Sequence, residues 1–539
     1  MMRSILLVAA CVAAGLPLSG SGEHDYLTDL YNRLHDSPVQ QKFRRLAPVP
    51  IGVVFLPWAG CTEADVRAHY RLMRSLGFNN LKQVMGSPEW PEHELLRIAL
   101  EEDVIPFWYG EGGWEDVTPA LRQQLGIAAE APMSEVRRDP RMRAYQKQVL
   151  ARHLDAVRGK REQLGKHFFG EADAILREGD VSLFREWVRS HYASIDDLVR
   201  AWNLLEVGIS RPTGLYGSWA DFDRDPLVTP LGRDGDPAPS GGREYGFVRD
   251  VLRFKADTNI EAIRHSRQPP IAGMPMRAGG EMGLFLPFAS RGTDMEGIAE
   301  SMTDLGSFYP SLHLAWHFEE VDYEVTRCIY MMSSICADWF KGGWTGIWES
   351  TGGPQQFSGG KGWDAHGAAG TPGFTVHEGT ITQLLLSYLA GGAKGAGIWA
   401  WNPREAGWES GEFALLERNR QPGPRAIRAG KIAQAADRLR DDLWQAHKEP
   451  LVGVLINWDN EAIWAAVAGP GRTHFKHYPV QARVGISRAL INANVPWEHV
   501  TPSDLKAGLA PRYRVIYLPA HVAIHEDLFP LLEAFVRPG

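Results

Sequence analysis

Two acidic residues in this chain stand where a carboxylate could act on a sugar. Gly343-Trp344-Thr345-Gly346-Ile347-Trp348-Glu349 reads as a short apolar strand that stops at one carboxylate and then breaks into Gly352-Gly353. Lys166-His167-Phe168-Phe169-Gly170 reads as another, stopping at Glu171, with Asp173 in reserve two residues on. Hydrolysis of a glycosidic bond needs two such groups. One is protonated and gives its proton to the leaving oxygen; the other is ionised and attacks the sugar or activates water. Each alone could be an ordinary loop charge, so it is the pair that carries the reading.

Aromatic residues gather near the same places. Trp58, Trp108, Trp114, Trp348, Trp399 and Trp401 lie at or near predicted strand ends, where a flat ring can stack on a sugar or pack in the core. Trp348 and the pair Trp401-Asn402 are the best placed for a binding pocket, with Trp108 and Trp58 beside them. Glu111 and Glu115 follow the third strand and could bind hydroxyls. No metal or cofactor is expected. His313 and His317 lack the glutamate of a zinc-protease helix, and the glycine-rich runs 359–362 and 391–395 lack Gly-Lys-Ser/Thr. No Gly-x-Ser-x-Gly elbow is present.

The elements that must hold these groups alternate regularly. Apolar strands are predicted at 51–56, 80–85, 104–109, 166–170, 270–275, 311–316, 343–349 and 397–401, most of them followed by an amphipathic helix. Eight such units over roughly 400 residues predict a (β/α)8 TIM barrel. The competing open doubly wound sheet would carry a glycine-rich phosphate turn after its first strand, and none is found. Near residue 450 the pattern restarts, with strands at 451–456, 495–500 and 514–519 and helices at 480–492 and 526–536. The predicted fold is therefore α/β: a barrel over 48–445 followed by a second, smaller α/β domain over 446–539 that reads as truncated. Residues 23–47 are a polar lead-in. In a parallel barrel catalytic groups collect at strand ends, and ends four and seven face each other across the mouth.

The 539 residues are 44% hydrophobic and 23% charged, ordinary for a globular protein. A net charge of −8, with no Lys/Arg block, argues against nucleic acid as a partner. Residues 1–22 combine a basic start, a short apolar run and small residues, which predicts a secretory signal peptide and an exported protein. Val8-Ala9-Ala10-Cys11 resembles a lipoprotein cleavage box, so lipid anchoring is the alternative to plain export. The apolar run is too short and alanine-rich for a membrane span. Cys61, Cys328 and Cys336 remain after removal of the leader and are expected as buried free thiols.

Several segments together resemble glycoside hydrolase family 42 and its retaining (β/α)8 neighbours. They are Phe184 to Tyr192, Ile195 to Asn203, Asp221-Phe222, Tyr309-Pro310, Trp348-Glu349 and the run from Ala390 to Gly395 before Trp399-Ala400-Trp401. The matches are scattered over most of residues 50–539. The resemblance implies that Glu349 is the nucleophile and Glu171 the general acid/base of a retaining β-glycosidase, most simply a β-galactosidase. It implies an oligo- or polysaccharide substrate and, through the second domain, a homo-oligomer. These enzymes carry Asn directly before the acid/base, whereas this chain has Gly170. A β-glycosidase or endo-acting hydrolase of other sugar preference is the rival of the same chemistry, and the Gly170 departure keeps open a non-catalytic carbohydrate-binding barrel.

Overall fold

The computed structural model describes residues 51–87, 89–108, 117–131, 136, 139–156, 165–169, 181–202, 216–228, 245–266, 276–279, 287–301, 307–308, 312, 324–341, 344–353, 355–356, 374–406, 413–468 and 471–537. Residues 1–50 and several loops after barrel strands lie outside these residues.

The strands are β1 (Ile51–Phe55), β2 (Asn80–Val84), β3 (Ile105–Trp108), β4 (Gly165–Phe169), β5 (Met276–Gly279), β6 (Ser307–Phe308), β7 (Trp344–Thr345), β8 (Ile347–Thr351), β9 (Gln355–Gln356), β10 (Phe374–Thr375), β11 (Ala396–Trp399), β12 (Val452–Leu455), β13 (Trp497–Val500) and β14 (Val515–Tyr517). One parallel sheet runs β5-β4-β3-β2-β1-β11-β8, and β6 pairs in parallel with β7. β7 and β8 are two halves of one barrel strand, interrupted at Gly346. The eight strands thus follow one another around a TIM barrel, with β5 lying beside β6. No ladder bond joins those two among the described residues.

Sequence patterning explains why the helices pack on the outside. The helix Glu63–Leu76 opens with a Thr62–Asp65 capping box and buries Val66, Tyr70 and Met73. It stops at Gly77 (φ 115°), a left-handed position suited to glycine. The helix Pro424–Arg438 crosses it closely: a Cβ on Gly430 would lie 2.2 Å from the Leu76 carbonyl oxygen. The helices Val325–Trp339 and Glu378–Ala390 pack side by side, and Ser333 Oγ donates to the Tyr388 carbonyl at 2.7 Å. Cys61, Cys328 and Cys336 are buried free thiols, as expected.

Some boundaries differ from expectation. The described parts of the fifth and sixth strands lie at 276–279 and 307–308, while the expected segments 270–275 and 311–316 fall, apart from Leu312, outside the described residues. The seventh does not stop at Glu349. It continues to Thr351 because Ile398 and Trp399 of β11 pair with Ser350 and Thr351. The glycine break begins only at Gly352, whose N–H donates to the Trp399 carbonyl at 3.0 Å.

The second unit is a three-stranded parallel sheet, β13-β12-β14. Its Val452, Val454 and Trp497 belong to the same buried cluster as Cys328 and Ile335 of the barrel helix Val325–Trp339. A buried polar group crosses this junction. One oxygen of Asp338 accepts from the backbone N–H (2.8 Å) and Nδ1 (3.0 Å) of His499, and the other from Lys448 Nζ at 2.5 Å. Burial alone would push the Asp338 carboxyl up, but Lys448, His499 and Lys341 together hold it well below the usual carboxylate range. Burial pushes His499 down from 6.5 to about 4.

A histidine kept neutral in the fold favours the folded state while the unfolded chain is also neutral. As pH falls below 6.5 the unfolded chain takes up the proton first, so this stability drains away between 6.5 and about 4. Urea unfolding followed across that window should therefore fall more steeply with acid in the wild type than in His499→Asn. Equal slopes would remove His499 from this role.

Candidate active site

β2 reads Asn80-Leu81-Lys82-Gln83-Val84, and a lysine in the middle of a barrel strand has to find a partner. Its Nζ lies 3.1 Å from Glu349 Oε1. β1 and β11 stand between β2 and β8 in the sheet, so the contact spans the barrel interior rather than joining neighbouring strands.

Both partners sit at irregularities in the ladder. Val53 of β1 pairs with Leu81 and Val54 with Gln83, so the β1 register passes over Lys82. Across β11 and β8, Ala396 pairs with Ile347 but Ile398 with Ser350, which leaves one extra residue on β8 around Glu349. A β-bulge re-aims side chains that strict alternation would place elsewhere. Beyond the bulge, Ser350 faces the outer helices and accepts from Tyr388 Oη at 3.0 Å. The Glu349 carbonyl accepts from the Leu312 N–H at 3.1 Å, which ties the strand to the chain after β6.

The two charges differ in exposure. The Lys82 side chain is 0% exposed and that of Glu349 23%. The carboxylate is therefore held from beneath by a buried ammonium while it still meets water. A cation at this distance favours the ionised carboxylate, the form a nucleophile requires. The face of Trp399, at the end of β11, lies 5.5 Å from the same Nζ, and the Arg404 guanidinium lies 5.1 Å from that ring. Asn80, on the same strand as Lys82, is fully buried, and a Cβ on Gly52 of β1 would come within 2.0 Å of its Oδ1. A glycine at position 52 thus makes room for a polar group in the barrel interior.

Two residues expected to bind sugar are buried and hydrogen-bonded within the protein. Trp401 is fully buried; its Nε1 donates to His69 Nδ1 at 3.0 Å and its ring meets Phe78 edge-on. Asn402 is also buried. Its side-chain oxygen accepts from the Leu56 N–H (3.0 Å) and its amide donates to the Leu56 carbonyl (2.7 Å), so it clamps the end of β1. Trp58 is half-buried: Arg420 covers its ring at 4.1 Å, and Phe55 and His69 meet it edge-on. Trp108 closes β3 and Trp348 lies within β8. Glu171, Asp173, Glu111, Glu115 and Trp114 lie outside the described residues, β4 ending two residues before Glu171. Sequence reasoning missed Lys82. Its signal was a single cation inside a strand whose neighbours Leu81 and Val84 are buried.

No protein-family profile and no curated protein matches the sequence. Solved structures do match the fold. A β-galactosidase from Rahnella sp. R3 superposes with a TM-score of 0.61 at 15% identity, over 87% of this chain and 66% of its own. A catalytic mutant of a GH42 β-galactosidase from G. stearothermophilus gives 0.66 at 15%, over 90% and 70%. A β-galactosidase from Halorubrum lacusprofundi gives 0.64 at 15%, over 91% and 72%. The chain spans about two thirds of the Rahnella enzyme's length. At these identities the likeness is one of architecture: this chain has the fold of the GH42 β-galactosidases.

Proposed function

We propose that this protein is an exported retaining β-glycosidase acting on terminal β-galactosides. The observation that carries the reading is Glu349, partly exposed inside the barrel and backed by the buried ammonium of Lys82. The shared architecture with GH42 β-galactosidases supports it. Export rests on the leader-like residues 1–22, which lie outside the described residues. None of the described helices is long and apolar enough to cross a membrane.

In the proposed reaction the Glu349 carboxylate attacks the anomeric carbon. The glycosidic C–O bond breaks, and the leaving oxygen takes the proton of Glu171, so that a glycosyl ester on Glu349 and an ionised Glu171 remain. Water then attacks the anomeric carbon and gives its proton to Glu171. The ester bond breaks, returning Glu349 as a carboxylate and releasing the sugar with its original configuration. Lys82 keeps Glu349 ionised before attack and stabilises it again as it departs. This route calls for about 5–5.5 Å between the two carboxyl groups.

A panel of aryl β-glycosides tests the reading. Hydrolysis should be strongest on the β-galactoside, fall by about a thousandfold or more in Glu349→Ala, and recover with azide. Sugar binding without turnover by the wild type would point to a non-catalytic barrel, and a strong preference for another glycoside would overturn the galactoside assignment. Lys82→Met should lower kcat/KM by about a hundredfold. It should also move the acid limb of the pH profile upward, because the carboxylate loses the cation that favours its ionised form. An unchanged limb would mean that Lys82 acts only in packing.

A further inference from the structure

A cavity of about 1090 Å³ lies away from Glu349, between the barrel helices that follow β4 and the second unit. No barrel-strand residue lines it. One wall is the start of the helix Tyr245–Ser266, which presents Tyr245 and Arg249; the opposite wall carries Asp459 and Ile463 of the helix Trp458–Val467. Trp187, one face of which stacks on His191 at 3.9 Å, and Tyr192 complete an aromatic side beside the more exposed Tyr245.

The walls are fixed before any ligand arrives. Asp250 is 1% exposed and accepts from Tyr192 Oη (2.5 Å), Trp202 Nε1 (2.8 Å) and Arg249 (2.9 Å). Arg249 reaches across to Asp459 at 3.0 Å and so joins the two walls. A Cβ on Gly246 would meet the Ala201 carbonyl oxygen at 2.2 Å, so glycine lets these two helices touch along one side of the cavity. Above this floor the lining is accessible: Tyr245 is 40% exposed, Arg249 31% and Asp459 29%.

The chemistry of the lining selects a ligand class. The lining holds one guanidinium (Arg249) and the imidazoles of His191 and His525 against the carboxylates of Asp250, Asp459 and Glu526, so no excess of positive charge exists to hold a phosphate or another anion. Aliphatic groups are too few for a lipid chain. Rings beside planar charged groups suit a molecule with apolar C–H faces and hydroxyl pairs that both donate and accept. The volume lies near the upper end for small-molecule sites. We propose that this cavity is a second carbohydrate site, one that holds a neutral oligosaccharide without cleaving it. It does not depend on the glycosidase assignment.

Calorimetric titration of the Glu349→Ala chain, which cannot consume its probe by the proposed route, tests this. The probes are cellotetraose, laminaritetraose and β-1,4-linked galactotetraose, with a tetragalacturonate as the charged control. At least one neutral tetrasaccharide should bind. Tyr245→Ala, which removes the ring, and Ile463→Trp, which intrudes into the cavity from its opposite wall, should each weaken that binding by about tenfold or more. Placed in the otherwise wild-type chain, neither change should alter turnover of a small aryl glycoside. Absence of binding by any neutral probe up to about 10 mM, binding that survives both substitutions, or a preference for the charged control would overturn the proposal. A wild-type chain inert towards every aryl glycoside would instead defeat the glycosidase reading and leave the titration interpretable.

Discussion

A lysine sealed inside a β-barrel calls for a counter-charge, and in this protein Glu349 supplies one. Removing an ammonium from water costs several kcal/mol unless a well-placed carboxylate and further polar contacts offset it. The 3.1 Å contact therefore ties the two strands together: it exists only while β8 presents Glu349 to the interior. Both residues sit at register irregularities, so the sheet departs from regular pairing where the two charges must meet. A local concession of this kind is expected at a working site, where regular geometry would aim the side chain elsewhere.

The surroundings keep the pair in place. Outside β8, Ser350 and Tyr388 fix the strand to the helix Glu378–Ala390. That helix packs on Val325–Trp339, whose far side carries Asp338 into the junction with β13. The buried cluster runs without a break from the β1 side of the barrel into the second sheet, which includes Val452 and Trp497. The smaller unit is thus part of the barrel's support, not a tethered appendage, and disturbance at His499 or Lys448 acts on a helix one layer behind the candidate site.

Much of this was legible in the sequence. Alternation of apolar strands and amphipathic helices gave the barrel order, and Thr62 and Gly77 bounded a helix that the structure reproduces. Glu349 was singled out in the sequence as a carboxylate shortly before Gly352-Gly353. Its bulge was not, because register depends on the partner β11, which lies almost fifty residues on. The packing at the exit of β11 was hidden for a related reason: Trp401-Asn402 has the composition of a sugar platform, but which side of the sheet a residue faces after a strand ends is decided by tertiary contacts. Here Phe78 and His69 take the ring, and the Leu56 backbone takes the amide. Lys82 was overlooked because its meaning lies in a residue 267 positions away.

The central claim is that Glu349 becomes covalently bonded to the sugar. Mass spectrometry of the protein after reaction with a fluorinated aryl galactoside, which forms the ester readily and hydrolyses it slowly, tests this directly. The account predicts one added sugar, located by peptide fragmentation on Glu349 and absent from Glu349→Gln. A sugar found on another carboxylate, or turnover of ordinary substrate with no covalent species ever trapped, would contradict it.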